Sequence, residues 1–92
     1  MARTFIAAVL LAALAGCATT TEGRGRCSAL LDAAWKDLDL AKAQGFAGTV
    51  SYGKAAALLT RATANQVVED FAECAEVAQR ARFYVDESRK GR

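Results

Sequence analysis

Residues 66–88 read QVVEDFAECAEVAQRARFYVDES, and this stretch decides the fold class. Its apolar residues recur at alternating spacings of four and three: Val67, Phe71, Cys74, Ala78, Ala81 and Val85. Such spacing places the side chains on one face of an α-helix. Acidic residues crowd the start of the stretch and basic residues its end, which suits the helix dipole. The pattern predicts an amphipathic helix over 66–88, with Asn65 as its N-cap.

Two shorter helical segments precede this stretch, at about 28–44 and 50–62. The first repeats Leu31, Trp35, Leu38 and Ala41, and the second has its apolar face in Tyr52, Ala55, Ala56, Leu58, Leu59 and Ala62. Ser28 is a suitable N-cap for the first segment, Thr49 or Ser51 for the second, and Gly45 is a suitable stop between them. The chain contains no proline. We therefore expect an all-α fold, a small three-helix up-down-up bundle over residues 27–92.

One boundary stays open at this point. No glycine or proline stands between Arg61 and Asn65, so the second and third segments could also form one continuous helix.

The spacing of the small residues resembles one and a half helical-hairpin repeats of the tetratricopeptide type. The run Phe71-Ala72-Glu73-Cys74-Ala75-Glu76-Val77-Ala78 is similar to the second helix of such a unit. The chain departs from that pattern because the proline is absent and Trp35 lacks the Gly-Tyr continuation. The resemblance therefore implies an architecture and no binding residues.

The first sixteen residues are typical of a secretory signal peptide. Arg3 precedes an apolar run over 5–14, and the small residues Ala15 and Gly16 follow it. A membrane-spanning helix is the alternative, but it needs about 20 apolar residues, and the run ends before the polar residues Thr19 to Glu22. The layout therefore predicts a signal peptide over residues 1–16.

The run Leu14-Ala15-Gly16-Cys17 resembles the lipobox of bacterial lipoproteins. That resemblance implies cleavage between Gly16 and Cys17, with acyl chains such as palmitate on Cys17. Two or three chains hold a protein durably, whereas one does not. Ala18 replaces the aspartate that implies inner-membrane retention in these lipoproteins, so the outer membrane, on its periplasmic side, is expected. Residues 17–26 would then form a flexible tether.

Cys27 and Cys74 remain as an even pair in an exported chain, which predicts a disulfide. A domain this small also gains from a covalent link, because its core alone is marginal. The predicted helix bounds place Cys74 two turns, about 11 Å, along its helix, while bridged Cα atoms lie within about 7 Å. The alternative is that Cys74 is a core residue and Cys27 a surface thiol.

The sequence offers little for catalysis or for metal binding. It has no histidine, which removes the commonest general base, and it has no CxxC motif for zinc. The carboxylates Glu69, Asp70, Glu73 and Glu76 are explained most simply as a solvated acidic face. A net charge of +2 gives no basic stripe for nucleic acid. We expect no enzyme activity, no cofactor, no metal and no nucleic-acid partner.

These features predict a lipid-anchored envelope protein that presents a helical surface to another envelope protein. Phe46, Phe83 and Tyr84 are the candidate contact residues, although they could instead close the ends of the bundle. The alternative function is a structural spacer, or a lipoprotein that contacts peptidoglycan through its basic tail, Ser88-Arg89-Lys90-Gly91-Arg92.

Overall fold

A computed structural model describes the backbone of residues 2–92 and the side chains of residues 21–92. It contains α1 (Ala2–Ala43), α2 (Val50–Val67) and α3 (Phe71–Ser88). No strand occurs within residues 2–92. The all-α prediction and the three-helix bundle are confirmed.

Helices α1 and α3 run parallel, and the contacts between them keep a constant separation in the sequence. Three polar contacts connect residues that are 45 apart in the sequence: Arg24 with Glu69, Asp37 with Arg82, and Gln44 with Arg89. Helix α2 runs the other way, because Gln66 near its end donates to Ser28 of α1. At its start, the Ser51 N–H donates to the carbonyl of Arg92. The predicted up-down-up order follows from these contacts.

The core lies along the axis where the three helices meet, and it is rich in alanine. Its buried residues are Cys27, Leu31, Ala34, Leu38, Ala41, Ala55, Leu59, Ala62, Cys74, Val77, Ala78, Ala81 and Val85. Small side chains let the helix backbones approach closely, so a thin core can still exclude water. Two positions of the predicted apolar repeats differ. Trp35 remains 36% exposed while its neighbour Ala34 is fully buried, and Val67 is 78% exposed.

Helix α1 corrects the predicted tether, because residues 21–26 are helical and do not form a loose linker. A Cβ added to Gly23 would lie 3.5 Å from the Cβ of Phe71, so α1 and α3 already pack at this level. Arg24 pairs with Glu69 at 3.3 Å. Ser28 consequently lies inside the helix, where its hydroxyl accepts from Gln66 and does not cap. Contacts with α3 therefore offset the weak helix preference of the glycines.

Helices α2 and α3 are separate, but the break lies at Val68 to Asp70 and not at Arg61 to Asn65. Glu69 takes a left-handed conformation with φ 61°, which reverses the chain without glycine. Asp70 caps α3 by accepting from the Glu73 N–H. The predicted cap, Asn65, lies within α2 and accepts the Asp70 N–H through its carbonyl at 2.9 Å.

The disulfide between Cys27 and Cys74 is present, with the two Cα atoms 5.6 Å apart. The predicted helix bounds place Cys74 about 11 Å along its helix, too far for a disulfide with Cys27. That separation does not arise, for two reasons. Helix α3 begins at Phe71, so Cys74 lies in its first turn, and α1 extends well before Cys27. Both sulfur-bearing residues are completely buried. The bond therefore joins the two parallel helices at one end of the core.

Within the described part of the chain, no helix combines the length and the apolar character needed to cross a bilayer.

Candidate partner-binding face

Phe46 closes one end of the bundle. Its side chain is half-buried and packs against the core. Its backbone is fixed as well, because its N–H donates to Ala41 at 2.9 Å and its carbonyl accepts from Thr49. Thr49 in turn caps α2 by accepting from the Tyr52 N–H at 3.2 Å. Phe46 therefore stabilises the connection between α1 and α2.

Tyr84 lies on the side of α3 that faces α2. It is half-buried against the core, and the ammonium of Lys54 lies 5.4 Å from its ring centroid. A cation over an aromatic face is attracted to the ring. The ring therefore contributes mainly to the contact between α2 and α3.

Phe83 occupies a different position from the other two aromatic candidates. Its side chain is 58% exposed, and its ring meets that of Tyr84 edge-on, with centroids 5.2 Å apart. The fixed Tyr84 ring thus supports Phe83 from one side. Phe83 is therefore an apolar side chain held toward solvent.

An open groove runs between the early part of α3 and residues 22–26 of α1, with a cavity volume of about 770 Å³. Its more buried lining residues are Gly23, Phe71 and Ala75. The groove exists because α1 continues past the disulfide and stands beside α3. An unstructured tether would not form the side of the groove that residues 22–26 provide.

The groove and Phe83 share one face of the molecule. Ala72, Glu76, Gln79 and Phe83 recur at spacings of four, three and four and are all exposed. That spacing forms one stripe along the outer side of α3. The first three also line the groove. Phe83 therefore lies one helical turn beyond Gln79, where the groove ends. We call the groove and this stripe the α3 face.

The charges on the α3 face are predominantly acidic. Glu22, Glu69, Asp70 and Glu76 line the groove, and Arg26 is the basic residue among its lining. Glu69 pairs with Arg24, which lies outside the groove. A partner segment that carries apolar and basic side chains would complement such a surface.

The carboxylates near the start of α3 do not converge on a common point. Glu69 pairs with Arg24, Glu73 with Arg61 at 2.9 Å and Glu76 with Arg80 at 3.6 Å, while Asp70 is the helix cap. In the residues that the structure describes, no group of three or more acidic or cysteine side chains is placed to hold a metal ion. Each carboxylate thus has its own local partner.

The basic tail folds back onto α3. Glu87 accepts from Lys90 at 3.3 Å and from Arg92 at 2.9 Å, and Arg89 donates to Gln44. These hydrogen bonds, first from Arg92 and then from Lys90, lower the pKa of Glu87 below its ordinary value of 4.5. The tail cations are therefore partly engaged within the molecule.

Sequence reasoning missed the groove and the exposed valines of the α2–α3 turn. The groove depends on α1 continuing through Gly23 and Gly25, which composition alone makes unfavourable. For Val67 the apolar repeat was misleading, since Val67 ends α2 and is not on the buried face of α3.

Gly16 and Cys17, the predicted cleavage and lipidation residues, lie outside the residues whose side chains the structure describes. Comparison of the chain with protein-family models, with curated proteins and with solved structures gave no match.

Proposed function

We propose that the chain is a non-enzymatic lipoprotein, anchored by lipid on Cys17 to the periplasmic side of the outer membrane, and that it presents the α3 face to another envelope protein. The lipobox-like run ending at Cys17 supports the anchor. The observation that carries the partner-binding role is Phe83, which stays exposed beside the groove while Phe46 and Tyr84 pack against the core.

The disulfide adds to this proposal. It joins the helix that leads to Cys17 directly to the helix that carries Phe83. A partner bound to the α3 face would therefore be held to the membrane through a covalent link between α1 and α3. Acidic groove residues and an exposed aromatic ring together favour a partner segment with apolar and basic side chains.

The spacer or peptidoglycan-contacting alternative has less support. It relies on the basic tail, and that tail contacts Glu87 and Gln44. Co-sedimentation of the protein with purified peptidoglycan, in the presence and absence of the tail residues 89–92, tests this alternative directly.

In-cell photo-cross-linking tests the partner-binding role. A photoreactive amino acid at Phe83 should give one discrete protein adduct in the membrane fraction. The matched control is Ala57, which is also exposed but lies on the outer side of α2, two residues from the buried Ala55. The proposal predicts that the adduct forms at position 83 and not at position 57. Equal adducts at both positions, or none at either, would contradict it.

The Phe83→Ala substitution provides a second test of the same role. Because Phe83 is largely exposed, its loss should change stability by no more than about 0.5 kcal/mol. Recovery of the cross-linked partner from a probe at the neighbouring Gln79 should nevertheless fall strongly. An unchanged yield would exclude Phe83 as a contact residue.

A further inference from the structure

The two most exposed large apolar side chains among the described residues are adjacent. Val67 is 78% exposed and Val68 is 72% exposed. Val67 ends α2, and Val68 is the first residue of the turn toward α3. Single exposed apolar residues are common on protein surfaces, and here two of them adjoin at the tip of a turn and form a small apolar patch. We call this pair the valine tip.

The valine tip is presented by a well-defined turn. The Val68 N–H donates to Ala64 at 3.3 Å, the Glu69 N–H to Gln66 at 3.1 Å and the Asp70 N–H to Asn65 at 2.9 Å. Glu69 completes the reversal with its left-handed conformation. These bonds hold the valines at the turn that joins α2 to α3, beside α1.

The valine tip lies at the end of the bundle from which α1 leads toward Cys17. Glu69, the residue after the tip, pairs with Arg24 at 3.3 Å. The guanidinium of Arg24 also lies 5.4 Å from the ring centroid of Phe71. The tip is therefore at the level of Gly23 and Arg24 along α1.

That level is close to the proposed anchor. Gly23 follows Cys17 by six residues, which span about 9 Å as a helix and at most about 22 Å when fully extended. The acyl chains of a lipidated cysteine enter the hydrocarbon, so its backbone lies among the head groups. Those head groups form a layer of about 5–8 Å on each side of the bilayer. A bundle held in this way has its valine tip within reach of the lipid surface.

The charges near the tip do not oppose contact with a neutral bilayer. Glu69 is paired with Arg24, and Asp70 is engaged as the cap of α3. The remaining charges at this level, Glu22 and Arg26, have opposite signs. Asp70 keeps its negative charge as a cap, so three carboxylates and two guanidinium groups at this level leave a balance of −1. Attraction to anionic lipid is therefore not expected, and apolar contact with zwitterionic lipid is the favoured interaction.

We propose that Val67 and Val68 rest in the head-group region of a zwitterionic bilayer and fix the orientation of the bundle on it. This inference rests on the proposed lipid anchor and goes beyond it, because an anchor alone leaves the bundle free to tilt. Phe83 follows Phe71 by twelve residues of α3, about 18 Å along the helix axis. A seated tip would hold Phe83 well above the lipid, in reach of a partner protein.

The test uses the full chain, produced in cells, extracted from membranes and reconstituted into phosphatidylcholine nanodiscs. An environment-sensitive fluorescent amino acid replaces Val68, and lipids carrying nitroxide groups quench it by contact. Val50 is the matched control, because it is the same residue type, is 70% exposed and begins α2 at the opposite end. The proposal predicts a blue-shifted emission at position 68 that nitroxide lipids largely quench, with neither effect at position 50.

An intact-mass measurement on the same sample separates the two possible failures. If Cys17 carries no lipid, the proposed anchor is wrong. If Cys17 is lipidated but emission at position 68 is no more quenched than at position 50, the anchor stands and the valine-tip inference is overturned. A photoreactive residue at position 68 that links to protein in native membranes and not to lipid would also overturn it. Thermal unfolding of each labelled chain checks that the fold is retained.

Discussion

The two ends of the bundle hold the same pair of parallel helices by different means. At the end that leads to residue 17, Cys27 and Cys74 join α1 to α3 covalently. At the other end, Arg89 just after α3 donates a hydrogen bond to Gln44 just after α1, and Phe46 packs against the core. We call these the proximal and the distal end. Each end packs a phenylalanine against the core, Phe71 at the proximal end and Phe46 at the distal end. Valine is exposed at both ends, as an adjacent pair at the proximal end and as Val50 alone at the distal end, so the disulfide is the main difference between them.

This difference indicates how the two ends are used. The distal end depends on apolar packing and on polar contacts for its stability. The proximal end has a covalent link, so its stability does not depend on burying Val67 and Val68. Those valines are free to contact something outside the domain. Five changes, taken from the largest expected effect to the smallest, test this contrast.

Removing the disulfide should have the largest effect on stability. The bridged cysteines are 47 residues apart, and the chain-entropy treatment of such a loop gives about 4 kcal/mol. The double variant Cys27→Ala, Cys74→Ala should therefore unfold at much lower urea than the oxidised parent. The control is the parent in reductant, which should unfold near the variant. Equal urea midpoints for the oxidised parent and the double variant would mean that the disulfide does not stabilise the proximal end.

Phe46→Ala should destabilise the domain by about 2 kcal/mol, less than a fully buried phenylalanine because Phe46 is half-buried. The matched change at the proximal end is Val68→Ala, which should alter the free energy of unfolding by no more than about 0.5 kcal/mol. Urea unfolding of both variants measures the difference. A loss from Val68→Ala as large as that from Phe46→Ala would mean that the valine supports the fold.

The Thr49 side chain should matter more than the equivalent cap at the proximal end. Thr49 accepts from Tyr52 at 3.2 Å and donates to Phe46 at 2.9 Å, so Thr49→Ala should cost about 1 kcal/mol. Asp70 accepts from Glu73 at the longer distance of 3.4 Å, and Asp70→Ala should cost about 0.5 kcal/mol. Thermal unfolding compares the two variants, and a reversed order would contradict this ranking.

Glu69→Gly should stabilise the proximal turn slightly. A left-handed conformation costs a residue with a side chain about 1 kcal/mol relative to glycine, whereas the exposed pair with Arg24 contributes about 0.5 kcal/mol or less. Glu69→Gln is the control, since it removes the charge and keeps the strain. The glycine variant should unfold at a higher temperature than the glutamine variant. The opposite order would mean that the left-handed conformation at position 69 carries no cost that glycine relieves.

Acid should weaken the distal end through Glu87, with the smallest effect of the five. Hydrogen bonds from Arg92 and Lys90 lower the pKa of Glu87 in the folded chain below 4.5. The stabilising contribution is therefore complete above about pH 4.5 and is lost as the pH falls through the lowered folded pKa. The unfolding temperatures of the parent and of Glu87→Gln should differ at neutral pH and converge in acid. A difference that does not depend on pH would exclude the carboxylate as its cause.

Much of the fold could be predicted from the sequence because its signals are local. The alternation of apolar residues at spacings of three and four identifies the helices, and Thr49 is a recognisable cap. The even cysteine pair predicted the disulfide correctly, because exported proteins fold in an oxidising compartment. The predicted helix bounds had placed the two cysteines too far apart. The geometric objection failed because α3 begins later than its apolar repeat indicated.

The remaining features depend on contacts between distant segments. Glu69 gives no sequence signal for a left-handed turn, because that conformation is usual for glycine. The helical wall formed by residues 21–26 is stabilised by Phe71 and Glu69, which lie more than 40 residues later. The groove and the exposure of the valine tip follow from these contacts, so local patterning could not have predicted them.

The most direct test of the central claim is intact-mass spectrometry of the protein extracted from cell membranes, with Cys17→Ser as the control. The account predicts a chain that begins at an acylated Cys17, is two hydrogen atoms lighter at the joined Cys27 and Cys74, and is absent from membranes in the serine variant. A chain that starts at Met1, carries a free Cys17 thiol and is recovered in the aqueous fraction would contradict it.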